Sequence, residues 1–306
     1  VPEALRDKRL LVIAPDEIGT LTVQGIEPPL ALRRAAEDAW ELTSPVAAPA
    51  ESAQVALLLE ALLALRATGF ETEPANGAAA ATAGAVQVDL AGGAKALRLV
   101  RAGGGGEAQP TVRISLTNET DAYLVPTSQW ARVEALLHRP AAFRSRTLFE
   151  LPAGSIRRIA VGRADGTQEV VEHEGNSSAG WRPATPGRAI NRPALDGWLQ
   201  QLAHLRAARI VSLGTGSAAE PQIGAFDTPY AEVTIDLTAE DRLRRVLIIG
   251  APAPFGGGRL AMVKGHDTVF ELETATCLQL EQPLLLPLEP RVKDVDTTRP
   301  PNTETP

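Results

Sequence analysis

Apolar side chains recur at Val55, Leu58, Leu59, Leu62 and Leu65, the spacing of one helical face. The pattern predicts a helix from about Glu51 to Ala67, with Gly69 placed to stop it. Leu195, Trp198, Leu199, Leu202 and Leu205 repeat that face 140 positions later, where Asn191 is a good N-cap and Pro193 fits the first turn. Burying five such side chains is worth about 1.5–3 kcal/mol each, roughly 10 kcal/mol per helix, which is comparable to the net stability of a whole domain. The helix must therefore pack on something, and strand-like segments supply the apolar surface. Leu10–Ile13 and Ile18–Val23 read as short strands around the turn at Pro15–Asp16. Trp40 and Leu42 alternate with polar neighbours, as on a half-buried strand. Val86–Leu90 and Val233–Leu237 alternate in period two. Leu97–Val100, Arg113–Leu116 and Ala122–Val125 continue the first as an antiparallel meander; Val246–Ile249, Leu260–Val263 and Thr268–Leu272 continue the second. Thr127 or Ser128 then caps a short helix carrying Trp130, Val133, Leu136 and Leu137, which feeds the next stretch at Phe143.

The two halves repeat one order of elements. Leu10, Ile18, Leu21 and Val23 recur as Leu148, Ile156, Ile159 and Val161, 138 positions on. Trp40 in WELTSP recurs as Trp181 in WRPATP at 141, and Val86, Val88 and Leu90 as Val233, Ile235 and Leu237 at 147. Asp121 and Tyr123 recur as Asp267 and Val269 at 146. Apolar matches alone are weak evidence, because amphipathic segments slide onto one another; the conserved order carries the argument. The expected fold is α+β: two tandem repeats, each a mainly antiparallel β-sheet with helices packed on one side. Residues 1–140 form the first unit, 141–290 the second, and 291–306 a disordered tail rich in Pro, Thr and charge. Pro2–Arg6 reads as the remnant of a helix ending an earlier unit.

Composition narrows the function classes. The chain has 306 residues, 44% hydrophobic and 22% charged, as a folded protein does. Thirty Lys and Arg against 37 Asp and Glu give a net charge of −7, which argues against a general nucleic-acid or anionic-membrane binder. One Cys excludes an intrachain disulfide and a Cys-based zinc cage. No apolar run approaches the roughly 20 residues that span a bilayer. The sequence starts at Val1 and its single Met is Met262, so a processed or trimmed product is expected, with any signal or anchor upstream.

Candidate chemistry is sparse. Ser212–Ser217 (SLGTGS) mimics a nucleotide-binding glycine loop, but Pro221 and IGAFDTP follow where a phosphate cradle needs a helix. Gly103–Gly106 and Gly256–Gly258 lack the Lys-Ser/Thr of a P-loop and read as turns. His138, His173, His204 and His266 show no metal-ligand spacing; His173 sits between Glu172 and Glu174 in an expected exposed turn, and His204 on the polar side of its helix. Ser155 and Ser177 lack a nucleophile elbow. Asp121 and Asp267 suit a catalytic carboxylate pair less well than local turn hydrogen bonds. Trp40 and Trp181 fit core packing better than ligand stacking, and Cys277 a buried helix position. Asn118–Thr120 and Asn176–Ser178 match the glycosylation sequon, a short pattern with many false positives. No catalytic, cofactor-binding or metal residue is assigned, and no cofactor is expected.

Four segments carry a family resemblance: LRDKRLL at Leu5–Leu11; Trp40–Pro45 with the helix entry Pro49–Ser52; IGAFDTP at Ile223–Pro229; and Ile249–Gly258 followed by Val269–Leu272. In this order they resemble the domain of unknown function 4340 family over nearly the whole chain except the tail. The first unit departs at Phe70–Ala85, where Ala/Gly-rich sequence replaces the string matching IGAFDTP. The resemblance implies a bacterial protein tethered by an N-terminal transmembrane segment and accompanying gliding-type ABC transporter components. The expected function is thus a non-enzymatic, extracytoplasmic accessory or binding module of a membrane-associated, transporter-linked assembly. It would have protein partners, no nucleic acid, and membrane contact only through an N-terminal anchor. The alternative is an envelope hydrolase or carbohydrate-acting enzyme with its site between the two units, which calls for paired carboxylates in that cleft. A third reading is a structural spacer.

Overall fold

Alternation along Thr20–Gln24 (β1) turns Leu21 and Val23 into the core and the threonines out of it. The structure, a computed structural model, describes residues 7–72, 86–92, 95–104, 110–116, 119–152, 154–174, 180–214, 223–238, 243–254 and 256–288. After β1 come β2 (Leu30–Ala36), β3 (Ala39–Ser44), β4 (Ala48–Pro49), α1 (Ser52–Leu63), β5 (Gly69–Thr72), β6 (Val86–Gly92), β7 (Lys95–Gly104), β8 (Thr111–Leu116), β9 (Asp121–Pro126) and α2 (Thr127–Leu137). These strands form one antiparallel sheet ordered β4-β3-β2-β1-β6-β7-β8-β9-β5. The second unit runs β10 (Ile156–Arg163), β11 (Gln168–His173), β12 (Trp181–Pro183), β13 (Arg188–Ile190), α3 (Arg192–Ala203), β14 (Arg209–Ser212), β15 (Ala231–Leu237), β16 (Arg244–Pro252), β17 (Arg259–Val263), β18 (Val269–Leu272), α4 (Thr274–Glu281) and β19 (Leu285–Pro287). Its main sheet is ordered β12-β11-β10-β15-β16-β17-β18-β14. The two orders coincide strand for strand, except that β13, the counterpart of β4, pairs with β19 instead of the sheet edge.

Each sheet is covered on one face by a helix pair, α1 with α2 and α3 with α4. The predicted helical stripes are the buried ones. Val55, Leu58, Leu59, Leu62 and Leu65 join one core, and Leu195, Trp198, Leu202 and Leu205 join another, with Leu199 packed against it. Asn191 caps α3 by accepting the Ala194 amide at 3.4 Å. The duplication extends to loop hydrogen bonds. Ala67 donates to Lys8 O and Ala207 to Arg146 O, both at 2.8 Å, and the bridges Arg9–Arg66 and Thr147–Arg206 correspond.

Several expectations are corrected. Leu10, Leu11 and Ile13 are buried but form no strand; Pro15–Glu17 is a 3-10 turn whose proline fits its first position. Gly69 does not stop α1, which ends at Leu63; it opens β5, hydrogen-bonded to β9. Neither Thr127 nor Ser128 caps α2; Pro126 precedes its first residue and makes no side-chain cap. The repeat register also shifts. Leu21 pairs with Leu90 and Val23 with Val88, while Ile159 pairs with Ile235 and Val161 with Val233. Val88 therefore corresponds to Val233, two positions from the sequence alignment. A slip of two keeps the same side chains facing the core, so periodicity cannot detect it. Tyr123 likewise corresponds to Phe270, since each pairs with the edge-strand residue Phe70 or Ile210. Asp121 and Asp267 are thus not equivalent. Pro2–Arg6 and Arg291–Pro306 lie outside the described residues.

A strap at Phe143–Ser145 closes the first unit beside the start of α1: Glu51 N donates to Phe143 O and Ser145 N to Pro49 O, both at 2.8 Å. The units meet at the same place. The Glu51 carboxylate accepts from Arg206 of the second unit at 3.1 and 3.0 Å.

Candidate functional site

The inner faces of α1 and α3 match, so any difference between them lies outside. The residues of α1 and its C-cap turned from the core include Ala53, Ala56, Leu57 and Ala64; the corresponding positions of α3 and its C-cap hold Pro193, Asp196, Gly197 and His204. Leu57 is 51% exposed. At its counterpart, a Cβ on Gly197 would come within 2.2 Å of Gln279 Nε2, because α4 lays that side chain across the helix. A surface helix ordinarily turns charged or polar residues outward, as α3 does with Asp196 and Gln200. On α1, Gln54 and Glu60 are the polar residues after its first, Ser52.

Two grooves flank this apolar ridge. One, of about 730 Å³, lies between α1 and the β2–β3 turn, with Trp40, Ala56, Leu59 and Leu63 in its lining and Glu37, Asp38 and Glu60 as its acids. Arg34 also lines it but is fixed in place. Its Nε donates to Ile18 O at 3.0 Å, its Nη2 to Pro15 O at 2.7 Å, and its guanidinium stacks 4.7 Å from the Trp40 ring centre. Ser52 Oγ donates to Asp38 O at 2.8 Å and ties the helix start to the turn. The other groove, about 440 Å³, lies toward α2 and carries Leu57, Ala61 and Leu136 beside Arg132 and Arg139. The ridge therefore has an acidic shoulder and a basic one.

The other candidates are dispersed. His138 and His204 are exposed at the ends of α2 and α3, and His266 is exposed between β17 and β18. His173 ends β11 half-buried, not in an exposed turn: Arg157 donates to its Nδ1 at 2.8 Å and Trp181 meets it edge-on at 5.1 Å. No three potential metal ligands converge among the described residues. Ser212 ends β14, and Gly214 (φ +72°) packs so closely on Asp267 that a Cβ would approach its Cβ to 2.4 Å. The next described element is a four-residue 3-10 turn, Ile223–Phe226, so Ser212–Gly214 leads into no α-helix among the described residues. Positions 215–217, Gly105–Gly106, Asn118 and 175–179, with Asn176 and Ser177, lie outside the described residues. Gly258 turns under the Leu272 carbonyl and Gly256 under the Glu271 carboxylate, as turn residues do. Asp121 opens β9 opposite Thr72. Ser155 is buried before β10. Trp40 and Trp181 are core residues, and Cys277 is buried on α4, where burial pushes its thiol pKa up.

The cleft between the units, about 480 Å³, has Arg144, Arg244, Arg245 and Lys264 in its lining and no carboxylate. The acid pair required by a glycoside-hydrolase reading is not among those residues. The sequence pattern carried no warning of the α1 ridge, because a helix is recognised by its apolar stripe and the extra apolar positions only blur it. No helix among the described residues is long and apolar enough to cross a membrane.

No curated protein and no solved structure matches the chain. A family model, described as Domain of unknown function (DUF4340), matches residues 40–211 and again 181–298. The two matches begin on the corresponding tryptophans, Trp40 and Trp181. By its ordered motifs, its doubled sheet and this match over most of its length, the chain belongs to the family of Domain of unknown function (DUF4340).

Proposed function

We propose that the chain is a non-catalytic binding module of a membrane-associated, transporter-linked assembly, placed on the extracytoplasmic side. Its docking element is the outer face of α1. The observation that supports this reading is the contrast between duplicates: α1 and α3 bury the same stripe, but α1 exposes Ala53, Ala56 and Leu57 where α3 exposes Pro193 and Asp196 and covers Gly197. An exposed apolar strip rimmed by charge is how a partner-binding surface looks. Small residues at Ala53, Ala56 and Ala64 allow a partner helix to approach closely, with Leu57 as the knob between them. The acidic shoulder at Glu37 and Asp38 and the basic one at Arg132 and Arg139 would set the orientation of that helix by charge.

The test places a photo-crosslinking residue at position 57 of the full-length protein in its native membrane, with position 200 on α3 as control. Capture of a transporter-linked subunit at 57 and not at 200 is expected, and Leu57→Lys should release that subunit on purification. Equal capture at both positions, or none at 57, would overturn the docking face. Capture of a second copy of the chain would replace the hetero-partner with self-association. A reporter fused near the end of the full-length protein tests the placement; cytoplasmic reporter activity would defeat it.

A further inference from the structure

The duplication supplies an internal control for each position, and at one of them the copies differ by a charge. In the second unit Asn191 N donates to Leu284 O at 2.9 Å, and Ile190 pairs with Leu285 across β13 and β19. In the first unit Glu51 N donates to Phe143 O in the same way, and Ala50 bridges to Arg144. The strap that closes each unit thus places Leu285 in one copy and Arg144 in the other at one position. Leu285 is 6% exposed and Arg144 only 9%.

A guanidinium in a leucine's place loses its water. Burial accordingly pulls the Arg144 pKa down. Its protein neighbours compensate poorly. Nη1 donates to the adjacent Ser145 O at 3.2 Å, the group lies 4.6 Å from the Phe270 ring centre, and Nε has no acceptor. No carboxylate pairs with it among the described residues. A buried charge is normally matched by a partner, since the uncompensated ion is strongly unfavourable.

Arg144 lines the cleft between the strap and the β16–β18 end of the second sheet. Arg245 and Lys264 line it too, and neither makes an ion pair among the described residues. Arg244 stands nearby but is engaged by Asp236, its Nε donating to Oδ1 at 2.7 Å. Phe149 and Phe270 provide apolar walls. Charge of one sign between low-dielectric walls concentrates the field, and here it does so in a chain whose net charge is −7.

We propose that this cleft is a binding site for a phosphate-bearing ligand, whose oxygens Arg144, Arg245 and Lys264 hold. Three cations without a counter-carboxylate suit a group carrying more than one negative charge, and the guanidinium fork matches phosphate oxygens in a bidentate manner. Free phosphate esters and phospholipid head groups share this chemistry. The site is independent of the α1 face and stands or falls separately from the docking role.

The test is calorimetric titration of the whole chain with pyrophosphate at low salt. Saturable binding is expected, weakened about tenfold or more in the double variant Arg245→Gln, Lys264→Gln, whose side chains are accessible enough to leave folding intact. Arg144→Leu, which installs the second unit's residue, should raise the melting temperature of the unliganded protein while abolishing binding. Co-sedimentation with phosphatidylglycerol vesicles, competed by pyrophosphate, identifies a head group as the source; binding to pyrophosphate without vesicle binding identifies a soluble ester. Absence of saturable heat up to about 10 mM ligand, far weaker than specific recognition, would overturn the proposal, as would unchanged affinity in both variants.

Discussion

Leu58 on α1 and Trp198 on α3 stand at one position of two copies: both have no exposed surface, and each lies beneath strands in the same order. Trp198 adds a tie the leucine lacks, its Nε1 donating to Gln282 O at 3.1 Å and holding the segment that leads to β19. Leu58→Ala should cost about 2–5 kcal/mol and Trp198→Ala about 3–5 kcal/mol in urea unfolding. Their core clusters share no residue, so the double variant should be additive within roughly 0.5 kcal/mol.

What the sequence made legible follows from period. The α1 and α3 stripes, the core tryptophans and the β6 and β15 alternation each repeat often enough to be read without coordinates. The exact copy-to-copy register did not, because Val88 and its neighbours two residues away present the same face. At Asp121 the ambiguity was a single residue, set by turn lengths that local pattern does not fix. β2 carries Arg33 and Arg34 within its run, which masks its alternation, and goes unread until β1 and β3 are seen to flank it. Leu10–Ile13 is apolar because it is buried, not because it joins a ladder. Arg144 carries no local signal: its burial depends on the path of a strap and on Phe270, more than a hundred residues away.

Gly258 and Gly162 make opposite predictions. A Cβ on Gly258 would lie 1.8 Å from the Leu272 carbonyl oxygen, a backbone atom that cannot swing aside, whereas one on Gly162 in β10 would meet nothing within 4 Å. Gly258→Ala should destabilise by about 2–3 kcal/mol or more, and Gly162→Ala should be neutral or stabilise by up to about 1 kcal/mol. Thermal unfolding of the pair decides it.

Glu169 on β11 anchors β19. Its Oε1 accepts the Leu285 amide at 2.9 Å, and its Oε2 pairs with the largely buried Arg163 at 3.4 Å. Glu169→Ala leaves that guanidinium uncompensated and should cost about 3–5 kcal/mol. Glu169→Gln keeps an acceptor for the amide and should cost less. Hydrogen exchange at Leu285 should accelerate far more in the alanine variant than in the glutamine one.

Asp236 contributes stability with a defined pH dependence. Burial raises its pKa, but hydrogen bonds and charge from Arg244 and Arg158 outweigh that and leave it below the ordinary aspartate value. A carboxyl whose folded pKa is depressed stabilises fully above its unfolded pKa, about 3.9, and loses that contribution as pH falls through the folded value. Asp236→Asn should therefore be less stable than the parent at pH 7, with the gap closing below about pH 4. Denaturation midpoints across pH 3–7 measure the gap.

Cross-strand proton contacts give the most direct test that two copies of one sheet were built in one register. Thr22 pairs with Asp89 in the first unit, and Ala160 with Thr234 in the second. Solution NMR of the labelled chain should show backbone contacts for both pairs, with β1 between β2 and β6 and β10 between β11 and β15. Contacts for one pair but not the other, or β15 found beside a strand other than β10 and β16, would contradict the duplication on which the α1 and Arg144 comparisons rest.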